Sequence, residues 1–195
     1  MARIEPLDRS DLTEHEDGLA LVEAMMGFVP NSMPTMARVP GLLPAFQGLG
    51  AAVLMNDLVS PGLKQMIAMM TSAGAGCRYC QAHTSSNAAR FGVPEDKLAA
   101  IWQFETSEHF DEAERAALRV AFAAGQTPNQ VTDDDFAALK QHYTDDQATA
   151  IVAVIAMFGF LNRWNDTMAT SLEPEPIEFA GRVLADGGWE PGKHA

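Results

Sequence analysis

Apolar residues in this chain return at every third and fourth position, and no sustained alternation at every second position appears. A period near 3.6 lays such residues along one face of a helix, whereas period two would line one face of a strand. Nor does a turn dipeptide sit between β-branched runs, so hairpins have no support. The chain is expected to be all-α. Leu19, Leu21, Val22, Met25 and Met26 make one stripe, which stops before Pro30. Residues 30–44 hold four prolines and are expected to form turns and one short helix. Residues 42–56 read as a helix. Ser60-Pro61 then supplies an N-cap and a proline at the first helical position. The helix it opens carries Leu63, Met66, Ile67 and Met70 and breaks at Gly74-Ala75-Gly76.

Further helices follow from the same signals. One is expected from Cys77 to Phe91, ended by Gly92 and Pro94, and a short one over 94–104. Asp111 with Glu114 is a capping-box variant opening a helix to Ala124, and Thr132 opens another reaching Tyr143. Thr144 with Gln147 is a second box, opening a long apolar helix that ends near Thr170. Its apolar run, 148–161, is too short to span a bilayer and reads as a buried or interface helix. Residues 173–195 are rich in proline and glycine and are expected to wrap the surface with one short helix. No repeat or linker divides the chain, so residues 1–195 are expected to form one domain.

Composition narrows the function. Thirteen basic residues against 26 acidic ones leave a net charge of -13. Such a surface repels phosphate backbones and anionic lipid heads, so neither nucleic acid nor a membrane is expected as partner. The first residues are not followed by the apolar run of a secretory signal, and a reducing cytoplasm is the expected compartment. The two cysteines lie three residues apart. A disulfide closing so small a loop would constrain the unfolded chain little, which weakens a purely structural role.

The informative stretch is Gly76-Cys77-Arg78-Tyr79-Cys80-Gln81-Ala82-His83-Thr84. Thiolate is the reactive form of cysteine, and the unpaired N–H groups at a helix start favour it. Both cysteines are expected in the first turn, beside Arg78, with at least one readily ionised. At 100° per residue Cys77 lies about 60° to one side of Cys80, and His83 about 60° to the other. Cys80 is thus flanked by a second thiol and an imidazole. That is what a peroxidatic thiol needs: a base for its proton and a neighbour to resolve the sulfenic acid. The same spacing also marks zinc sites. Zinc would need further ligands from His83, His109, His142 or a carboxylate, and no second Cys or His pair appears, so redox chemistry is favoured over a metal.

An all-helical chain with this motif resembles the carboxymuconolactone decarboxylase superfamily, and more closely its alkylhydroperoxidase D-like, peroxidase-related branch. The resemblance covers about 60–170, including Gly92-Val93-Pro94 and Phe160-Leu161-Asn162-Arg163-Trp164-Asn165-Asp166. It implies a helical fold with the motif at a helix N-terminus, and a homo-oligomer (dimer, trimer or hexamer). It also implies reduction of an organic hydroperoxide or small disulfide without metal or other cofactor, with an external thiol donor. Helix position alone favours Cys77 as the more acidic thiol; the resemblance gives the attack to Cys80 and the resolving role to Cys77. His83 is the expected proton carrier.

Two positions depart from the family pattern. Where the family has a glutamate twelve residues before the first cysteine, this chain has Gln65, and the family's usual histidine position holds Thr84. Both are expected only to hydrogen-bond. A lactone decarboxylase-like or hydrolytic enzyme using His83, and a member without activity, stay as alternatives. Asn162, Arg163 and Asp166 are expected either near the site or as an ion pair three residues apart on a helix. Met25, Met26, Met66, Met69 and Met70 are expected in the core or at a subunit interface, and Trp102 and Trp164 in packing.

Overall fold

The computed structural model describes residues 2–195. Among them no strand occurs, and four of the helices start where a polar side chain caps them. Ser60 accepts the Leu63 N–H at 3.3 Å and opens α4 (Pro61–Ala75). Asp111 with Glu114 opens α7 (Glu112–Gly125), Thr132 with Asp135 opens α8 (Asp133–His142), and Thr144 with Gln147 opens α9 (Asp145–Met168). In all three the cap takes an N–H inside the helix while the other side chain takes the cap's own N–H. Loss of one such cap costs about 1 kcal/mol. Ahead of these lie a 3-10 segment, Arg9–His15, then α1 (Glu16–Met26), α2 (Ser32–Met36) and α3 (Leu42–Leu54). The motif helix is α5 (Arg78–Arg90), followed by α6 (Glu95–Ala99). The last helix, α10 (Pro174–Val183), starts with proline in its first turn.

Helix α4 is the hub, packed on α5, α7 and α9. It buries Met66, Ile67, Met69 and Met70, each contributing roughly 1.5–3 kcal/mol by leaving water. The α4–α7 contact is a backbone approach. A Cβ on Gly74 would come within 2.3 Å of the Phe122 carbonyl oxygen, and one on Gly125 within 2.2 Å of Thr71 O. Only glycine lets the two helices lie this close. Helix α9 fills the middle, burying Ile151, Val154, Ile155 and Phe158. Its length and composition would suffice to cross a membrane; here it is packed against α3, α4, α5 and α7, the buried helix expected from sequence.

Lys64 is 1% exposed, an unusual place for a cation. Its ammonium donates to the Leu54 carbonyl at 3.1 Å, to Asn56 Oδ1 at 3.1 Å and to the Asn56 carbonyl, holding the C-terminal end of α3 against α4. Burial lowers its pKa, partly offset by Asp57.

Several local expectations are corrected. Residues 94–104 do not form one helix: α6 ends at Ala99 and a 3-10 turn, Ile101–Gln103, follows. Of the methionines, Met66, Met69 and Met70 are core, and Met25 is exposed in the single chain. Arg163 donates to the Gly159 carbonyl at 3.2 Å and does not pair with Asp166. The chain after α9 does more than wrap the surface. Leu172, Glu173, Ala180, Leu184, Trp189 and His194 are all buried, and α10 packs along α5. Exposed ion pairs Arg90–Glu175 and Arg182–Glu95 edge this contact, where water screens them and they add little stability.

Candidate active site

Gly76, at φ 75°, turns the chain from α4 into α5, so that Cys77 is the N-cap and Cys80 sits at the end of the first turn. Cys77 itself has extended backbone angles, and its side chain caps nothing. Both thiols are reduced and buried, and the two cysteines lie 3.5 Å apart. Thiol and thiol are already placed for a disulfide with small movement.

They do not share one environment. Cys80 and His83 line a cavity of about 110 Å³, whose other walls include Met26, Met33, Phe46, Met157, Phe158 and Leu161. Cys77 does not line it and is sealed behind. Asn165 of α9 donates its amide N–H to Cys80 Sγ at 3.5 Å. Burial pushes the Cys80 thiol well above its ordinary value, the neighbouring Cys77 pushes it further, and the Asn165 donor only partly offsets them. Cys80 in the resting protein is therefore harder to ionise than an ordinary cysteine. The helix start supplies favourable N–H groups, but removal of water from the sulfur outweighs them.

A histidine–carboxylate pair beside the cavity is assembled from the far end of the chain. Glu173, the residue before α10, places its carboxylate against His83, with Oε2 at 2.6 Å from Nε2. Its Oε1 accepts from the Tyr79 hydroxyl at 2.9 Å and from the Asn31 N–H at 2.5 Å. Burial pushes the Glu173 carboxyl up, but the His83 hydrogen bond and charge, with the Asn31 donor, more than compensate and hold it below the usual range. Burial and the Glu173 charge together push the Tyr79 hydroxyl far up, so it stays a neutral donor. The His83 ring stacks on Tyr79 at 4.3 Å between centroids and meets the Phe28 ring edge-on at 5.4 Å. Its orientation is thus fixed on three sides. Among the described residues His83 makes no direct hydrogen bond to either sulfur; it and Cys80 line the same cavity.

The supporting positions fall as follows. Gln65 lines the cavity and is buried, its Oε1 left without a partner. Thr84 also lines the cavity, but its hydroxyl is bonded back to the Cys80 and Gln81 carbonyls at 2.7 and 3.3 Å. Neither carries a proton toward sulfur. The zinc candidates His109 and His142 are exposed and far along the chain from the motif.

Sequence reasoning missed Glu173 and His194, since neither lies in a motif. Cys77, Asp166 and His194 bring one donor atom each to within 4.8 Å of one another. The His194 Nδ1 faces the Thr170 carbonyl at 2.8 Å, and its Nε2 faces Asp166 Oδ1 at 3.3 Å. Asp166 Oδ2 takes the Lys193 ammonium at 2.6 Å.

Helical dithiol proteins with a buried histidine–carboxylate pair beside the thiols are the class these features define. A family model described as "Carboxymuconolactone decarboxylase family" matches residues 40–123. The chain belongs to that superfamily, in its alkylhydroperoxidase D-like branch. It is 38% identical to the debrominase Bmp8, whose structure was solved in complex with 2,3,4-tribromopyrrole, with a TM-score of 0.88 over 92% of this chain and 96% of that one. A peroxidase-related protein from Ralstonia eutropha JMP134, an alkylhydroperoxidase AhpD core, is 26% identical with a TM-score of 0.80, over 94% of this chain and 97% of that one. The uncharacterized protein YnjA of Escherichia coli K12 is 28% identical over 110 residues, 56% of this chain and 60% of YnjA. The chain thus spans less than two thirds of that relative's length.

Proposed function

We propose that this protein is a thiol-dependent reductase of small apolar hydroperoxides. The observation that carries the reading is the placement of Cys80 on an apolar cavity, with a second thiol 3.5 Å away on the sealed side. A substrate with a hydrocarbon body leaves water for the Met and Phe walls, and its O–O group meets the sulfur. His83, held by Glu173, takes the Cys80 proton as the thiolate attacks the distal oxygen, and returns it to the departing alkoxide. Cys80 is left as sulfenic acid. Cys77 displaces its hydroxyl as water and closes the disulfide, and an external dithiol restores both thiols. The family likeness carries a homo-oligomer as the expected assembly.

A second substrate class is favoured by the likeness to Bmp8: a halogenated aromatic reduced by the same pair of thiols. Turnover of cumene hydroperoxide and of 2,3,4-tribromopyrrole, each with dithiothreitol, separates the two. The Cys80→Ser variant is expected to lose either activity. Unchanged turnover in that variant rejects thiol chemistry. Activity that survives loss of both cysteines but not of His83 points instead to acid–base lyase or hydrolase chemistry.

A further inference from the structure

Each cysteine of the pair has its own imidazole and carboxylate. Cys80 shares a cavity with His83, which is bound to Glu173; Cys77 converges with His194, which faces Asp166. Tyr79 lies between the two rings, 4.3 Å from His83 and 5.8 Å from His194 by centroid. From this duplication we infer that His194 is the base for Cys77 in the resolving step, with Asp166 and Thr170 positioning it.

His194 is fully buried although it stands next to the last residue of the chain, and the tail is tied down around it. Its carbonyl accepts the Leu172 N–H at 2.8 Å, and Trp189 Nε1 donates to the Arg78 carbonyl at 3.3 Å. The Thr170 carbonyl can only accept, so it faces a proton on His194 Nδ1, and a proton arriving on Nε2 would be met by the Asp166 carboxylate. Nε2 to Asp166 is 3.3 Å, longer than a charged pair, while the Lys193 ammonium sits on the other carboxylate oxygen at 2.6 Å. A ring so held accepts a proton and, once charged, is held by the carboxylate beside it.

The step rests on the hydroperoxide reading above. Cys77 gives its proton to His194 as its sulfur attacks the sulfenic sulfur of Cys80. The S–S bond forms, the S–O bond breaks, and the hydroxide leaves through the cavity as water after taking up one proton. His194 then releases the proton it received, so the sum is thiol plus sulfenic acid giving disulfide plus water. Cys77 is closed off from the cavity, and His83 is committed to the Cys80 side. A separate acceptor behind the pair removes the need to open the site between the two steps.

The test separates those steps in His194→Gln and Asp166→Asn, two variants that keep side-chain size. Sulfenic acid on Cys80 is trapped with dimedone after cumene hydroperoxide addition, and disulfide closure is followed by rapid acid quench and mass spectrometry. Closure is expected to slow by roughly 100-fold, the scale of a lost general base, while sulfenic acid formation stays within about twofold. Equal slowing of both steps, or of neither, overturns the inference. Should the wild type form no sulfenic acid, the hydroperoxide reading fails by itself. Diamide, which activates Cys80 without peroxide, then reports closure, and the same 100-fold difference is required. Stoichiometric zinc in the purified protein, lost together with closure in both variants, also overturns it. Circular dichroism of both variants shows that the tail still folds.

Discussion

His83 Nε2 and Glu173 Oε2 meet at 2.6 Å although 90 residues separate them along the chain. The carboxylate expected before the motif, at the position of Gln65, is absent from the sequence. The fold supplies one from the opposite direction, at the start of α10. The proposed proton relay therefore depends on α10 docking along α5. A weakened tail is expected to weaken chemistry before it unfolds the core.

The pair also carries a pH signature. The Glu173 carboxyl lies below its usual range in the folded protein, and in the unfolded chain it titrates near about 4.3. Where the two differ, the unfolded state binds more protons, so this stabilisation is fully present above the unfolded value. It is lost as pH falls through the folded one. Urea unfolding between pH 6 and pH 3 is expected to show this loss in the wild type and a shallower slope in Glu173→Gln. At pH 7 the variant is expected to be about 1–3 kcal/mol less stable, the range for a hydrogen bond to a charged group. Equal slopes in the two proteins would falsify the linkage.

The two thiols are coupled, and the sign is testable. Cys77 raises the Cys80 thiol beyond what burial alone does. Cys77→Ala should therefore bring the midpoint of Cys80 alkylation by iodoacetamide down toward the ordinary value of about 8.5. The Asn165→Ala variant should move it the other way, since the donor to sulfur is lost. A midpoint that rises in Cys77→Ala would contradict this account of the pair.

The α4–α7 contact tests the fold. Gly74→Ala and Gly125→Ala each drive a methyl into backbone atoms that cannot swing aside. Each is expected to cost about 1–3 kcal/mol, lowering Tm by roughly 2–4 °C per kcal/mol in a chain of this size. Gly48 of α3 has nothing within 4 Å of its added methyl, and Gly48→Ala should leave Tm unchanged or raise it. Calorimetry showing the same Tm for all three variants would reject the close approach.

Several features were legible because they are local. Ser60, Asp111, Thr132 and Thr144 each cap a helix through atoms three residues away, and those residues are adjacent in sequence. The motif Cys77, Cys80 and His83 likewise lies within two turns of one helix, so its spacing placed all three near each other. The helix start is visible in the sequence, whereas the burial that raises the Cys80 thiol is not. For Asp166 the sequence left two places open, near the site or paired with Arg163; it meets Lys193 and His194 from the tail, beside Cys77.

By itself the sequence determined that the chain is helical, where most helices start, and that two thiols and an imidazole share one of them. Tertiary structure alone decided that Cys80 opens on the cavity while Cys77 is sealed, and that Glu173 and His194 bring the two imidazole pairs together. The reason is range: caps and periodicity act within one or two turns. Which carboxylate reaches which imidazole depends on how α9, α10 and the final residues pack around α5.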